Sequence, residues 1–184
     1  MILRFLHWLS RRLAVREIFG DDGTLYLQRF RILGWMPGDE RRWPFSIYLH
    51  RFHRPDLDDA PHSHPWNWAV SLVLAGGYVE SRRVEGGSSW RALHPGQINV
   101  LRDDTFHVVK ELLGQETWTL FVVGPKTASW GFMVNGRGFV PWRDRLRERG
   151  IEPSYIKTAE KAQRDATAAL GRMVGAERND DAGR

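Results

Sequence analysis

His62-Ser63-His64-Pro65, with His107 farther along, carries the residue types and spacing in this chain best suited to metal chemistry. Two imidazoles separated by one residue on a strand project to the same face, about 6–7 Å apart along the chain. Nitrogens from such a pair reach one ion at about 2 Å, and a third imidazole from a neighbouring strand completes one face of a site. The parity of the pair continues through Trp66, Trp68, Val70, Leu72 and Leu74, which are bulky and apolar. The other parity, Ser63, Asn67, Ala69, Ser71, Val73 and Ala75, is smaller and more polar. A strand that stays regular past Pro65 therefore turns both histidines toward an apolar interior, where a dry setting strengthens the pull of a metal on its ligands.

The elements that must hold these residues are mostly strands. Runs rich in Val, Ile, Phe, Tyr, Trp and Thr cover 24–32, 45–53, 62–75, 77–84, 89–94, 98–101, 106–112, 117–124 and 128–134. Pro37-Gly38, Gly76-Gly77, Gly86-Gly87, Pro95-Gly96, Gly114 and Gly136-Arg137-Gly138 punctuate them as turns. Many short strands at this spacing predict an antiparallel sandwich or barrel. Ahead of them, Leu3, Leu6, Leu9 and Leu13 recur at helical spacing with arginines between, which predicts an amphipathic helix over 2–19 packed on the side of the domain. After Trp142, WRDRLRERG reads as a short charged helix, and a second helix is expected from Pro153 to about 174. The expected organisation is an N-terminal helix over 1–20, a β domain over 21–142 and a helical tail over 143–184.

A chain of 184 residues suits one domain with a real core, and 42% apolar residues, with nine Trp and nine Phe, suffice to fill it. The absence of cysteine excludes disulfides and thiolate zinc sites and fits a reducing, cytoplasmic setting. No run of about 18 apolar residues exists, so no transmembrane segment is expected. Arg4, Arg11 and Arg12 interrupt the apolar N-terminus, and no small-residue cleavage site follows; it reads as mature protein rather than signal peptide. The net charge of +5 is scattered over Arg11-Arg12, Arg41-Arg42, Arg82-Arg83 and the 143–149 stretch, a pattern of solvated surface that does not favour a nucleic-acid partner.

The segments around the histidines resemble the cupin superfamily. His62, His64 and Gly76 match a first cupin motif of His-x-His followed by Gly; Pro95, Gly96 and His107 match a second motif of Pro-Gly followed by His. More closely, the segments His62–Trp66, Ser71–Glu80, Thr117–Phe121, Gly124-Pro125 and Trp130–Phe132 resemble uncharacterised cupin-like proteins of bacteria and phages. The resemblance covers roughly 45 to 135 and implies an all-β core folded as a double-stranded β-helix, a small jelly roll, with short N-terminal and C-terminal helices. It also implies a small-molecule ligand or substrate and is compatible with a homodimer.

The chain departs from the superfamily at one ligand. The cupin glutamate would fall at Trp68 or Ala69, and Trp68 has the parity of the histidines. Glu111 shares parity with His107 but lies four residues along, about 13 Å on a regular strand. Glu80 lies beyond the Gly76-Gly77 turn and returns to the site only if that turn brings it back. A face of three histidines, His62, His64 and His107, is the simplest reading, and it resembles cysteine-dioxygenase-like cupins, in which three His hold iron. Three neutral imidazoles suit Fe(II), the favoured ion, and equally Zn, Ni, Co or Mn.

Other residues are placed to line such a site. Tyr48 and His50 share one face of the preceding strand, Arg51 and His53 the other, and only one pair looks inward. Trp66 and Trp68 either wall an aromatic pocket or, the favoured reading, pack in the core, and Trp118, Phe121, Trp130 and Phe132 read most simply as core. The functional expectation is a metal-binding protein, with a metal-dependent oxygenase (dioxygenase-like) acting on a small polar molecule as the leading form. A ligand-binding module without turnover, an isomerase or lyase of the same fold, and a phage-derived accessory protein are the alternatives.

Overall fold

The structure, a computed structural model, describes residues 1–20, 22–35, 43–127 and 129–150. The Pro37-Gly38 turn, the Arg41-Arg42 pair and the helix expected from Pro153 lie outside the described residues. The chain divides into two units, Met1–Arg145 and Leu146–Arg184, and the first contains all the strands.

Helix α1 (Ile2–Ser10) is followed by β1 (Val15–Phe19), β2 (Leu25–Leu33), β3 (Ser46–Phe52), β4 (Trp68–Ala75), β5 (Tyr78–Val84), β6 (Gly87–Leu93), β7 (Ile98–Arg102), β8 (His107–Leu112), β9 (Thr117–Val123), β10 (Gly131–Val134) and β11 (Gly138–Pro141). The short charged helix α2 (Trp142–Glu148) closes the described chain. One sheet has the order β1-β2-β3-β9-β4-β7, a second β6-β5-β8, and β10 pairs with β11. All of these pairings are antiparallel. The segment at His62 bridges β8 on one side and β10 on the other, joining the smaller sheets into a second layer.

From β3 onward the chain passes repeatedly between the layers: β3 in the first, His62 in the second, β4 in the first, β5 and β6 in the second, β7, β8 and β9 alternately. That connectivity is the jelly roll, and the all-β expectation holds. The layers meet through side chains. Val73 of the first packs with Tyr78, Leu93 and Val109 of the second, while Tyr48, Ala69, Leu101, Phe121 and Val123 of the first enclose Trp66.

The N-terminal helix is shorter than its periodicity predicts. It ends at Ser10, and Val15–Phe19 pair with β2 instead. Leu6, Leu9 and Leu13 still pack with Phe30, Leu49 and Trp118 on the outer face of the large sheet, so the apolar period survives the change of backbone at these three, whereas Leu3, the first of the expected period, is 41% exposed. The stretch Val15–Phe19 is β-branched and aromatic at three of its positions, and the open edge of β2 captures it.

The single strand expected over 62–75 is likewise two pieces. His62 lies in the second layer and β4, from Trp68, in the first. The chain changes layers between them, and the parity changes with it: Ala69, Ser71 and Val73 point inward, and Trp68 lies on the outer face with 37% of its surface exposed. The inward indole expected at Trp68 is therefore corrected. A regular strand cannot run through Pro65 when its two ends belong to different sheets. The core role expected for Trp130 and Phe132 is also corrected, since both are only half-buried.

Gly76 and Gly77 carry the chain from β4 back to β5. Both have positive φ, +76° and +134°, and a Cβ on Gly76 would stand 2.3 Å from the carbonyl oxygen of Glu116. Only glycine allows that conformation and that approach together. The turn places Glu80 on the inner face of the second layer, fully buried.

Candidate metal centre

His62 and His107 face each other across an antiparallel backbone pair. His62 N–H donates to the His107 carbonyl at 2.8 Å, and His107 N–H donates back at 3.0 Å. Ser63 N–H donates to the Gly131 carbonyl at 2.9 Å, which pins the same segment to β10. Directly opposed residues project their side chains to one face of a sheet. His64, one residue beyond Ser63, returns to that face.

The three rings form a nearly equilateral triangle, with centroids 4.9 Å (His62–His107), 5.1 Å (His62–His64) and 5.1 Å (His64–His107) apart. One ligating nitrogen from each lies within 4.8 Å of the others, and Nε2 of His64 is 2.8 Å from Nε2 of His107. Two nitrogens bound to one ion at about 2.1 Å stand roughly 3.0–3.4 Å apart, so small side-chain adjustments suffice.

Electrostatics keep His62 and His64 in the ligating form. Burial lowers His62 to about 4, the Asp56 charge opposing and His107 reinforcing the shift. Burial, then His62 and His107, hold His64 well below the ordinary histidine range. Both are neutral at pH 7, as metal ligation requires. Two carboxylates stand behind the triangle. Glu80 Oε2 lies 3.3 Å from His107 Nδ1, and Asp56 Oδ2 lies 4.0 Å from His62 Nδ1. A carboxylate on Nδ1 leaves Nε2 free to ligate and fixes the ring's orientation. A half-buried to buried cluster of three imidazoles, backed by carboxylates, fits a divalent transition ion by the chemistry of its donors.

Glu80 is the acid that sequence parity left open, and the glycine turn does bring it back. It is not part of the triangle. Arg82, Arg91 and Asn99 all bond to it. Asn99 also accepts from both arginines and donates to the Tyr78 hydroxyl at 2.9 Å. Burial raises the Glu80 carboxyl, but His107 and Arg82 outweigh that and bring it down to about 2. Asp56 is similarly engaged, accepting from Val109 N–H at 2.7 Å. Glu111 lies on the exposed side of β8, and Asp103-Asp104 are exposed in their loop.

Tyr48 and His50 are the inward pair of β3, 2% and 3% exposed, and Arg51 and His53 face outward. The Tyr48 hydroxyl donates to the Trp35 carbonyl at 2.6 Å. Trp66 stacks on His64 with centroids 5.6 Å apart and meets Phe121 edge-on. Trp68 shares none of this. Sequence reasoning passed over Arg29, whose Nε–H donates to His50 Nε2 at 2.9 Å. The available signal was its parity with Leu25 and Leu27, a charge in line with an apolar face.

No family model and no curated protein matches the chain. Among solved structures it is similar to the iron(II) form of HppE with the alternative substrate (S)-1-HPP, at 14% identity over 63% of this chain and 57% of that one, with a TM-score of 0.47. A structure of the DMSP lyases RdDddP and RnDddQII gives 17%, 61%, 57% and 0.46. KdgF from Halomonas sp. gives 18%, 64%, 93% and 0.45. The chain spans a little over half the length of the first two.

Proposed function

We propose that His62, His64 and His107 hold one divalent metal ion and that the protein is a metal-dependent enzyme of the oxygenase type acting on a small polar molecule, with Fe(II) the favoured ion. The observation that carries this reading is the triangle of imidazoles with a carboxylate against Nδ1 of His107. A divalent ion there supplies a Lewis-acid centre and, as iron(II), a redox centre for chemistry with O₂. The protein's own groups orient and enclose. Glu80 holds the His107 ring and is itself held by Arg82, Arg91 and Asn99. Trp66 covers the His64 ring and excludes water from that side. Tyr48, His50 and Trp66 would supply the aromatic side of the substrate site: Tyr48 packs in one cluster with Trp66 and stacks on His50.

Elemental analysis of protein purified without chelators tests the reading. Wild type is expected to carry close to one equivalent of a transition metal, and His107→Ala to carry almost none. Equal, negligible metal in both would overturn it. O₂ uptake by iron-loaded protein, screened against small polar acids and alcohols, then separates oxygenase from other chemistry.

A second reading, a ligand-binding module without turnover, is favoured by one observation. Both carboxylates nearest the triangle, Glu80 and Asp56, are committed to other partners and do not offer a free general base. On that reading a ligand raises the melting temperature and no product forms.

A further inference from the structure

Among the described residues, Arg29 is a cation without an acidic partner. On β2 it stands opposite His50 of β3, half-buried on the inner face. Its Nε–H bonds to His50, and its guanidinium carbon lies 5.2 Å from the centre of the Tyr48 ring and 5.5 Å from that of Trp66. Among the described residues no carboxylate pairs with it. The other arginines near the interior are balanced differently: Arg82 and Arg91 share Glu80, and on the outer face Arg51 pairs with Glu116.

Withdrawing a guanidinium from water without a counter-charge is costly, and such a group is normally paired. Ring contacts and one neutral acceptor leave its remaining N–H fork, the part suited to bidentate oxyanion recognition, without a protein acid. His50 adds a second donor. Because its Nε2 accepts from Arg29, the proton of the neutral ring sits on Nδ1, which has no partner among the described residues. Thr119, facing His50 across the β3–β9 ladder, has a buried hydroxyl with no hydrogen-bond partner. Trp66 touches both Arg29 and His64, so this polar cluster and the histidine triangle share one wall.

We propose that Arg29, with His50 beside it, binds the oxyanion of a small-molecule ligand, a carboxylate or a phosphate, whose other end reaches the three-histidine cluster. The placement beside a catalytic metal rests on the reading above; the oxyanion site itself does not, because Arg29 is poised without any ion. Charge balance points the same way. Of the two carboxylates behind the triangle, Glu80 is already matched by Arg82 and Arg91, and Asp56 alone offsets only half of a divalent ion's charge; Arg29 adds to the remainder, so an anionic ligand is the one such an interior attracts.

Calorimetric titration of the full chain, in apo and metal-loaded forms, with acetate, inorganic phosphate and the neutral isostere acetamide tests this at constant ionic strength. Acetate or phosphate is expected to bind and acetamide not to, and Arg29→Gln is expected to lose roughly tenfold to hundredfold in affinity. The exposed Arg12→Gln should behave as wild type. Whichever anion binds more tightly identifies the ligand's charged group. Indifference between acetate and acetamide in wild type, or full retention of binding in Arg29→Gln, overturns the proposal. The wild-type comparison decides the matter even if the variant fails to fold. Anion binding in metal-free protein that never takes up metal would uphold the oxyanion site and sink the metal reading; metal uptake without anion binding would do the reverse.

Discussion

Glu80 Oε2 lies 3.3 Å from Nδ1 of His107, and the same histidine turns its Nε2 to within 2.8 Å of His64 Nε2. One side of the imidazole is thus held by a buried carboxylate, and the other side is presented to its fellow ligands. The carboxylate is held in turn by Arg82, Arg91 and Asn99. This chain of contacts makes ligand orientation and fold stability depend on one residue.

Glu80→Gln keeps the shape and removes the charge. Metal affinity is expected to fall about 10- to 100-fold, since partners behind a ligating histidine typically contribute that much. Stability is expected to fall by roughly 1–3 kcal/mol, because Arg82 and Arg91, both partly exposed, lose the buried counter-charge of Glu80. Competition titration against a chromophoric chelator gives the first quantity and urea unfolding the second. Unchanged metal affinity in a folded variant would remove Glu80 from the site.

Glu116 links α1 to the large sheet. It bonds His7 at 2.9 Å, Arg51 Nε at 2.6 Å and the Trp118 indole at 2.8 Å. Burial by itself would raise its carboxyl, but the Trp118 N–H and Arg51 outweigh burial and hold it below its ordinary 4.5. A carboxylate whose folded pKa is depressed contributes stability above its unfolded pKa and loses it as pH falls through the folded one. The gap in melting temperature between wild type and Glu116→Gln should therefore be full at neutral pH and close progressively below about 4.5. Circular dichroism melts from pH 7 to pH 3 read this directly. A gap that stays constant over that range would mean that the charge of Glu116 is irrelevant.

Trp66 and Trp68 are two residues apart and belong to different surroundings. Trp66 is 7% exposed among Tyr48, Phe121 and His64, and Trp68 is 37% exposed on the outer face. Trp66→Ala is expected to cost about 3–5 kcal/mol, and Trp68→Ala less than about half of that. Denaturant unfolding of the two variants compares them. Equal losses would contradict the change of face at Pro65.

Much of this arrangement was legible along the chain. Strand alternation, the turn glycines and the three histidines are local matters. Backbone sterics and side-chain parity act within a few residues, so His62 and His64 read correctly as a pair, and Gly76-Gly77 as a turn. Leu6, Leu9 and Leu13 read correctly as one apolar face even though the helix beneath them stops at Ser10. What the local pattern could not carry was the sheet to which each strand belongs. Trp68 kept its expected parity only on a strand running straight through Pro65, and that strand is split between two layers. Glu80 and Arg29 show the same limit from the other side. Whether a charged residue on an alternating strand meets solvent, a counter-charge or a cluster of imidazoles depends on which distant strand lies opposite, and tertiary pairing alone settled that for both. By itself, then, the sequence determined the set of histidines, the β class and the places where the chain turns. The tertiary structure decided that Glu80 stands behind His107, that Trp68 leaves the site and that Arg29 enters the interior against His50 with no acid beside it among the described residues, because those outcomes depend on contacts between residues far apart in the chain.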